Sequence, residues 1–206
     1  MASPGSILHL SENLTLPFDR RVWMELTALT GAGYEVSAIC PMGEGGRERH
    51  EVLNGIHVWR YPPPPETSGF ASYVWEFAYC WLQTLRLTFT VLARRGVDVI
   101  HSANPPDTFW AIALPFKAFG VRYVFDHHDL CPELYLSRFG ERRAGSLAHR
   151  LLGALEWAQF RTADLVIATN QSYREIAIRR GRRDPARVRV VRSGPSRDRF
   201  PDRAPP

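Results

Sequence analysis

Several things are scarce in this chain of 206 residues, and each scarcity removes a class of protein. Cysteine occurs three times, at Cys40, Cys80 and Cys131, an odd number without paired metal-ligand spacing. That argues against a disulfide framework and makes a reducing cytoplasm the expected home. No basic region precedes the short apolar run Ile7-Leu8-His9-Leu10, so the pattern of a signal peptide is missing. After that run there is no Gly-x-Gly-x-x-Gly, which a dinucleotide-binding oxidoreductase would need together with an acid on the second strand. A Gly-x-Ser-x-Gly elbow is missing too, which disfavours a nucleophilic hydrolase. Gly43-Glu44-Gly45-Gly46 precedes no helical pattern, so it is a poor phosphate cradle and is expected to be a flexible loop. Nor is there a long uncharged apolar stretch. Phe70 to Arg95 comes nearest, but Glu76, Gln83 and Arg86 interrupt it, and charge within a span of ~20 residues is costly in a bilayer.

What is present reads as a soluble globular domain, with 45% hydrophobic and 23% charged residues. The net charge is +5, with arginines crowding the C-terminal end from Arg179 to Arg199. Val188, Val190 and Val191 break that run in the manner of a strand, so it is read as a solvated basic edge and no nucleic-acid partner is expected.

Short apolar runs at Ile7 to Leu10, Val36 to Cys40, Ile56 to Tyr61, Val99 to His101, Val121 to Phe125, Leu165 to Ala168 and Val188 to Val191 predict strands. Helical spacing is expected after Asp19, which would cap a helix ending at Gly31 and Gly33, and over Phe70 to Arg95. Further helices are predicted over Thr108 to Phe119, Ser146 to Thr162 and Ser172 to Arg180. This alternation predicts an α/β fold: a Rossmann-like, doubly wound, mostly parallel sheet with helices on both faces. The helix from Phe70 is apolar nearly all round, so it calls for cover on a second side by another domain, a partner subunit or a membrane surface.

One stretch stands out, Tyr123-Val124-Phe125-Asp126-His127-His128-Asp129-Leu130-Cys131-Pro132-Glu133. Apolar residues at the end of a strand run directly into two imidazoles and three carboxylates. Strand exits are where open parallel sheets bind ligands, and several like charges buried together are costly unless paired or liganded. Ser11-Glu12-Asn13, His101 to Asp107 and Thr169-Asn170 are expected on the same edge. A metal hydrolase using His101, His127, His128 and Asp129 is an alternative. Adjacent histidines on an extended strand point to opposite sides, so both reach one metal only if the strand has already ended.

In order, Leu16-Pro17-Phe18-Asp19-Arg20-Arg21-Val22, Asn104-Pro105-Pro106-Asp107, His127-His128-Asp129-Leu130, Ala163-Asp164, Thr169-Asn170, and Val191-Arg192-Ser193-Gly194-Pro195 with Arg199-Phe200 resemble the N-terminal half of family 4 glycosyltransferases of the two-domain GT-B fold. The resemblance implies a metal-independent, retaining transfer of a sugar from a nucleotide-sugar to a glycan or lipid-linked acceptor, as in polysaccharide biosynthesis. This half would bind the acceptor, and a second domain would hold the donor; no cofactor beyond that co-substrate is implied. Residues 1–192 would be the Rossmann-like domain and 193–206 the linker toward a donor-binding domain or separate chain. With the sequence stopping at Pro206, the expectation is half an enzyme, inactive alone, in the cytoplasm or peripheral at the inner membrane face.

Glu133 and Glu141 have the spacing of the family's donor-site glutamates, but they follow the fifth strand and are not taken as that motif. Many relatives have paired glycines in the first loop where this chain has Leu14-Thr15-Leu16-Pro17-Phe18, so Arg21 or Arg20 would have to supply positive charge. By the same resemblance His128 would be the catalytic histidine near the transferred sugar, with His127 as the fallback and a substrate contact. Asp129 would orient the imidazole or bind a hydroxyl. Asp19, Arg21, Asn104, Asp107 and Asn170 are the remaining candidate substrate-binding residues. Two plainer readings stand beside these: Arg21 pairing with Glu25, and Asn104 to Asp107 as turn and helix cap.

Overall fold

The computed structural model describes residues 4–64 and 70–194. Eight strands form one sheet, β1 (Ser6–Leu10), β2 (Glu35–Pro41), β3 (His50–Leu53), β4 (Ile56–Tyr61), β5 (Val99–Ala103), β6 (Arg122–His127), β7 (Leu165–Ala168) and β8 (Val188–Val190). The order is β3-β4-β2-β1-β5-β6-β7-β8, parallel throughout except for the antiparallel pair β3 and β4. The helices are α1 (Arg20–Gly31), α2 (Phe70–Arg95), α3 (Trp110–Lys117), α4 (Cys131–Phe139), α5 (Leu147–Thr162) and α6 (Gln171–Arg179). Strand order reverses at β1, whose neighbours are β2 and β5, so the crevice of a doubly wound sheet opens outside the carboxyl ends of those strands.

Local chemistry accounts for the boundaries. Asp19 is the N-cap of α1, accepting from Val22 N–H at 3.1 Å, and the helix ends at Gly31, with Gly33 at φ +91° turning the chain into β2. Asn170 caps α6 by accepting from Tyr173 N–H, and Ser146 caps α5 through His149 N–H. Two elements differ from the sequence reading. β3 is a half-exposed edge strand of polar character, and α4 follows directly on the stretch that Pro132 was expected only to end. Pro132 lies in the first turn of α4, where its missing N–H costs nothing.

The two faces of the sheet are covered unequally. One carries the larger core, in which Leu8, Leu10, Ile39, Ile100, Tyr123 and Phe125 pack with residues of α2, α3, α5 and α6. The other holds a smaller core around Val22, Leu26, Val36, Ala38 and Val58, covered by α1 at the β2–β4 end. Across β1, β5, β6 and β7 this second face is an open groove of about 470 Å³, floored by Ile7, Val99, Val124, Leu165 and Ile167. Gly43 to Gly46, expected as a flexible loop, is a turn closed by reciprocal backbone hydrogen bonds of 3.1 Å. A Cβ on Gly46 would come within 2.6 Å of Thr15 Oγ1, so glycine is what lets the turn sit this close.

Candidate active site

β6 runs two residues further than its apolar pattern indicated, to His127, and this extension sets out the site. Because side chains alternate along a strand, Asp126 and His128 turn to the α1 face while His127 turns to the other. His127 is fully buried beside Phe160 and Tyr173, and its Nε2 lies 3.6 Å from Glu156 Oε1. Neither of its ring nitrogens has a hydrogen-bond partner, and no atom of it reaches the crevice. The four candidate metal ligands therefore do not converge, because His127 lies behind the sheet from His101 and His128.

Arg21 is the hub on the α1 face. Its Nη2 donates to both carboxylate oxygens of Asp126, at 3.0 and 3.2 Å, and lies 3.0 Å from Glu25 Oε1. Nη1 donates to Val191 O at 3.1 Å and Ser193 Oγ at 3.0 Å. The planar fork thus ties α1, β6 and the segment after β8 together, a geometry lysine cannot reproduce. His128 Nε2 lies 2.7 Å from both Arg21 Nε and Asp126 Oδ2. One ring nitrogen cannot accept from the guanidinium and donate to the carboxylate at once, so these are alternative states of the imidazole. Either way Nε2 is committed inward, and Nδ1 is the nitrogen left for a ligand.

The carboxylate that orients His128 is therefore Asp126 and not Asp129, a correction that follows from the two-residue period of the strand. Burial opposes ionisation of Asp126, but the His128 hydrogen bond and the neighbouring positive charges outweigh it and hold the carboxyl well below its usual range. Glu25 is shifted upward instead, by burial first and then by the Asp126 charge beside it. Glu25, Asp126 and His128 have ligand atoms within 4.8 Å of one another, the spacing of a cation site. The Arg21 guanidinium stands among them as their cation. Behind them His9 and His101 meet edge-on at 4.8 Å, and burial lowers both pKa values, His101 to about 4.

Asn104 is 1% exposed and holds the loop that carries His128. Its Oδ1 accepts from His128 N–H at 2.7 Å and Asp129 N–H at 3.1 Å; its Nδ2 donates to Asp129 O at 2.7 Å and Asp107 Oδ1 at 3.0 Å. Asp107 is buried, which raises it to about 6, and it does not cap α3, whose N-cap is Phe109. Asp19 and Asn170 sit at the same edge as helix caps, with their side-chain oxygens engaged by backbone N–H groups. Asp129 is half-exposed.

Sequence reading missed Asp126 as the partner of His128, and it missed Arg60. That side chain is fully buried; its Nε donates to Thr15 Oγ1, its Nη2 to Leu16 O, and it pairs with Glu51. The positive charge behind the first loop is thus Arg60, spent on holding the loop, and Arg21 is equally committed. An arginine inside an apolar strand run was the available signal. Beside this loop a cleft of about 460 Å³ opens between Leu14, Phe18, Met42 and Gly45. Glu133 pairs with Arg180, and Glu141 lies in a short 3₁₀ turn.

The strand order, the switch point and the site at the carboxyl edge define a Rossmann-like, doubly wound domain of the kind that forms one half of the GT-B fold. The family model of the Glycosyl transferase 4-like domain matches residues 19–194, and the chain belongs to that family. Among curated proteins none matches the sequence. Similar solved structures include sucrose-phosphate synthase from Thermosynechococcus elongatus, at TM-score 0.67 and 16% identity, covering 95% of this chain and 50% of that one. The catalytic domain of starch synthase IV from Arabidopsis thaliana, bound to ADP and acarbose, aligns at TM-score 0.60 and 13% identity over 95% of this chain and 53% of that one. LpCGTa in complex with UDP aligns at TM-score 0.60 and 13% identity, over 97% and 55%. The chain spans about half the length of these structures.

Proposed function

We propose that this chain is the acceptor-binding half of a retaining, metal-independent hexosyltransferase that moves a sugar from a nucleotide-sugar to a glycan or lipid-linked acceptor in polysaccharide biosynthesis. The observation that carries the reading is the family match over 19–194 together with alignment to half of each two-domain neighbour. The open groove across β1, β5, β6 and β7 supports a second half, since parallel sheets are normally covered on both faces. The UDP and the ADP with acarbose bound to neighbours support a nucleotide-sugar donor, held mainly by the second half and with no further cofactor.

On this reading His128 is the catalytic residue, offering Nδ1 to a sugar hydroxyl or to charge developing in the transition state. Asp129 binds a hydroxyl. Arg21 and Asn104 position the imidazole and its loop, while Asp107, Asp19, Asn170 and, least directly, His127 shape the edge. The acceptor occupies the cleft beside Phe18. Residues 193–206 lead toward the donor domain, of which Ser193 and Gly194 are described and Pro195 onward lie outside the described residues. The isolated chain is inactive, and it works in the cytoplasm at the inner membrane face. A second reading, a half that recruits its donor domain from another chain, is favoured by the same open groove.

The test is sugar transfer with a donor-binding domain supplied, comparing wild type with His128→Ala. Transfer should be lost while the melting temperature is kept; wild-type turnover in the variant would remove the assignment.

A further inference from the structure

We propose that the amino edge of the sheet, opposite the edge that carries His128, holds a binding site for a small phosphorylated anion. The residues that lead into three neighbouring parallel strands meet there: Arg122 opens β6, Asp164 precedes β7 and Arg187 precedes β8. These three line a cavity of about 380 Å³, a volume in the range of small-molecule sites. Arg183 adjoins the same space. Arg182, at φ +48°, turns the chain after α6, and Arg183 N–H then donates to Ile178 O at 3.2 Å. Asp164 and Arg187, which line the cavity, are among the charges that act on the Arg183 guanidinium, and Arg161 at the end of α5 is another. Nε and Nη2 of Arg183 are buried without a hydrogen-bond partner. A buried polar group left unsatisfied in this way points to an ion that it would meet.

Charge selects the ligand. The acids at this edge are already engaged. Asp164 pairs with Lys117 and accepts from Tyr123 N–H at 2.8 Å, and Asp184 accepts from Ala186 N–H at 2.9 Å. Asp98, which precedes β5, accepts from Ser6 N–H at 2.7 Å and Ser6 Oγ at 3.0 Å. By contrast Arg122, Arg161, Arg183 and Arg187 have no ion pair among the described residues. Burial, and then the Arg187 and Arg161 charges, push Arg183 down from its ordinary value, so like charge is crowded here without an answering anion. Guanidinium forks match the oxygens of a phosphoryl group two at a time, and a dianion can answer two arginines together. The shared chemistry of free phosphate and phosphate monoesters is therefore what the cavity fits.

The site is remote from His128. β6 starts at Arg122 and ends at His127, and at ~3.3 Å per residue its two ends lie roughly 17 Å apart. An anion at the amino edge therefore touches none of the groups around Arg21 and Asp126. It would fasten the starts of β6, β7 and β8 to one another, stabilising the strand that presents His128 from its far end. The inference rests on no part of the transferase reading.

The experiment is calorimetric titration of the 206-residue chain, in chloride buffer, with inorganic phosphate and separately with glycerol 3-phosphate. Saturable binding with a Kd of about 1 mM or tighter is expected for at least one of them, and the tighter ligand tells a monoester from free phosphate. Arg122→Ala and Arg187→Ala, both at exposed positions, should each weaken it roughly 10- to 100-fold with the circular dichroism spectrum unchanged, the effect of losing a charge-assisted contact. Arg47→Ala removes the same charge from the exposed turn before β3, at the other border of the sheet, and should leave the affinity as it is. No saturable binding of either anion, or equal weakening by Arg47→Ala, would overturn the proposal. Single-stranded RNA that binds through Arg122 and Arg187 while neither small anion does would assign the edge to nucleic acid and overturn it too. No transfer is measured, so failure here is distinct from failure of the transferase reading.

Discussion

Arg21→Ala strikes the site at its centre, because one side chain serves Asp126, Glu25, His128, Val191 and Ser193. Asp126 is fully buried, so the substitution leaves an ionised carboxylate with only His128 to answer it. Removing one partner of a buried pair costs about 3–5 kcal/mol. The Arg21 side chain is 15% exposed and water can enter after truncation, which favours the lower figure, about 3 kcal/mol. For a chain of this size each kcal/mol moves the melting temperature by about 2–4 °C, giving a drop of about 6–12 °C. Arg21→Lys should fall between, since it keeps the charge and loses the fork. The assay is thermal and urea unfolding of the single variants and of Arg21→Ala with Asp126→Asn. The double variant should be more stable than the sum of its parts by at least about 1 kcal/mol, the signature of direct coupling. A drop below about 2 °C for Arg21→Ala, or additivity within ~0.5 kcal/mol, would refute the reasoning.

Three other perturbations probe separate parts of the account. Asn104→Ala orphans the N–H groups of His128 and Asp129, and each buried unpaired donor costs about 1–3 kcal/mol, which denaturant titration would read directly. Gly46→Ala would press a methyl group to 2.6 Å from Thr15 Oγ1 and 2.8 Å from Arg60 Nε, and should lower stability by about 1–3 kcal/mol with an unchanged denaturant slope. Burial holds His101 at about 4 against an ordinary 6.5, so between these pH values the unfolded chain binds a proton that the folded chain does not. Its contribution makes stability fall as pH drops from 6.5 toward 4, by up to about 1.4 kcal/mol per pH unit. Burial raises Glu12 to about 7 and Asp107 to about 6, which acts in the opposite sense. His101→Gln removes the contribution that rises with pH, so between pH 4 and 6.5 the slope of stability against pH should be lower (less positive or more negative) than in wild type, as measured by unfolding at stepped pH.

Much of the fold was legible because the buried strands are short apolar runs and the helices between them carry recognisable caps, Asp19, Ser146 and Asn170. β3 escaped because His50-Glu51-Val52-Leu53 is a polar edge strand with no apolar face to betray it. α4 escaped for a related reason: of its residues only Pro132 is buried, and Leu134 and Phe139 are exposed, so no amphipathic period was there to read. Its Pro132, first-turn Glu133 and closing Gly140 were the signals that could have revealed it. At the site, His128 stood out by its company, but its partners did not. Arg21 and Asp126 are 105 positions apart, and nothing local ties them. Choosing Asp126 over Asp129 required knowing that β6 stays extended to His127, which reverses the side on which each residue of the cluster lies.

The central claim is that this chain is a half whose nucleotide-sugar is held elsewhere. Calorimetric titration of the 206-residue chain with UDP, GDP and their common sugar conjugates tests it most directly. A folded protein with no saturable binding is the expected result. Saturable binding to one nucleotide would mean that the edge around Asp19, Asn104 and His128 is itself a nucleotide site, and it would contradict the acceptor-half account.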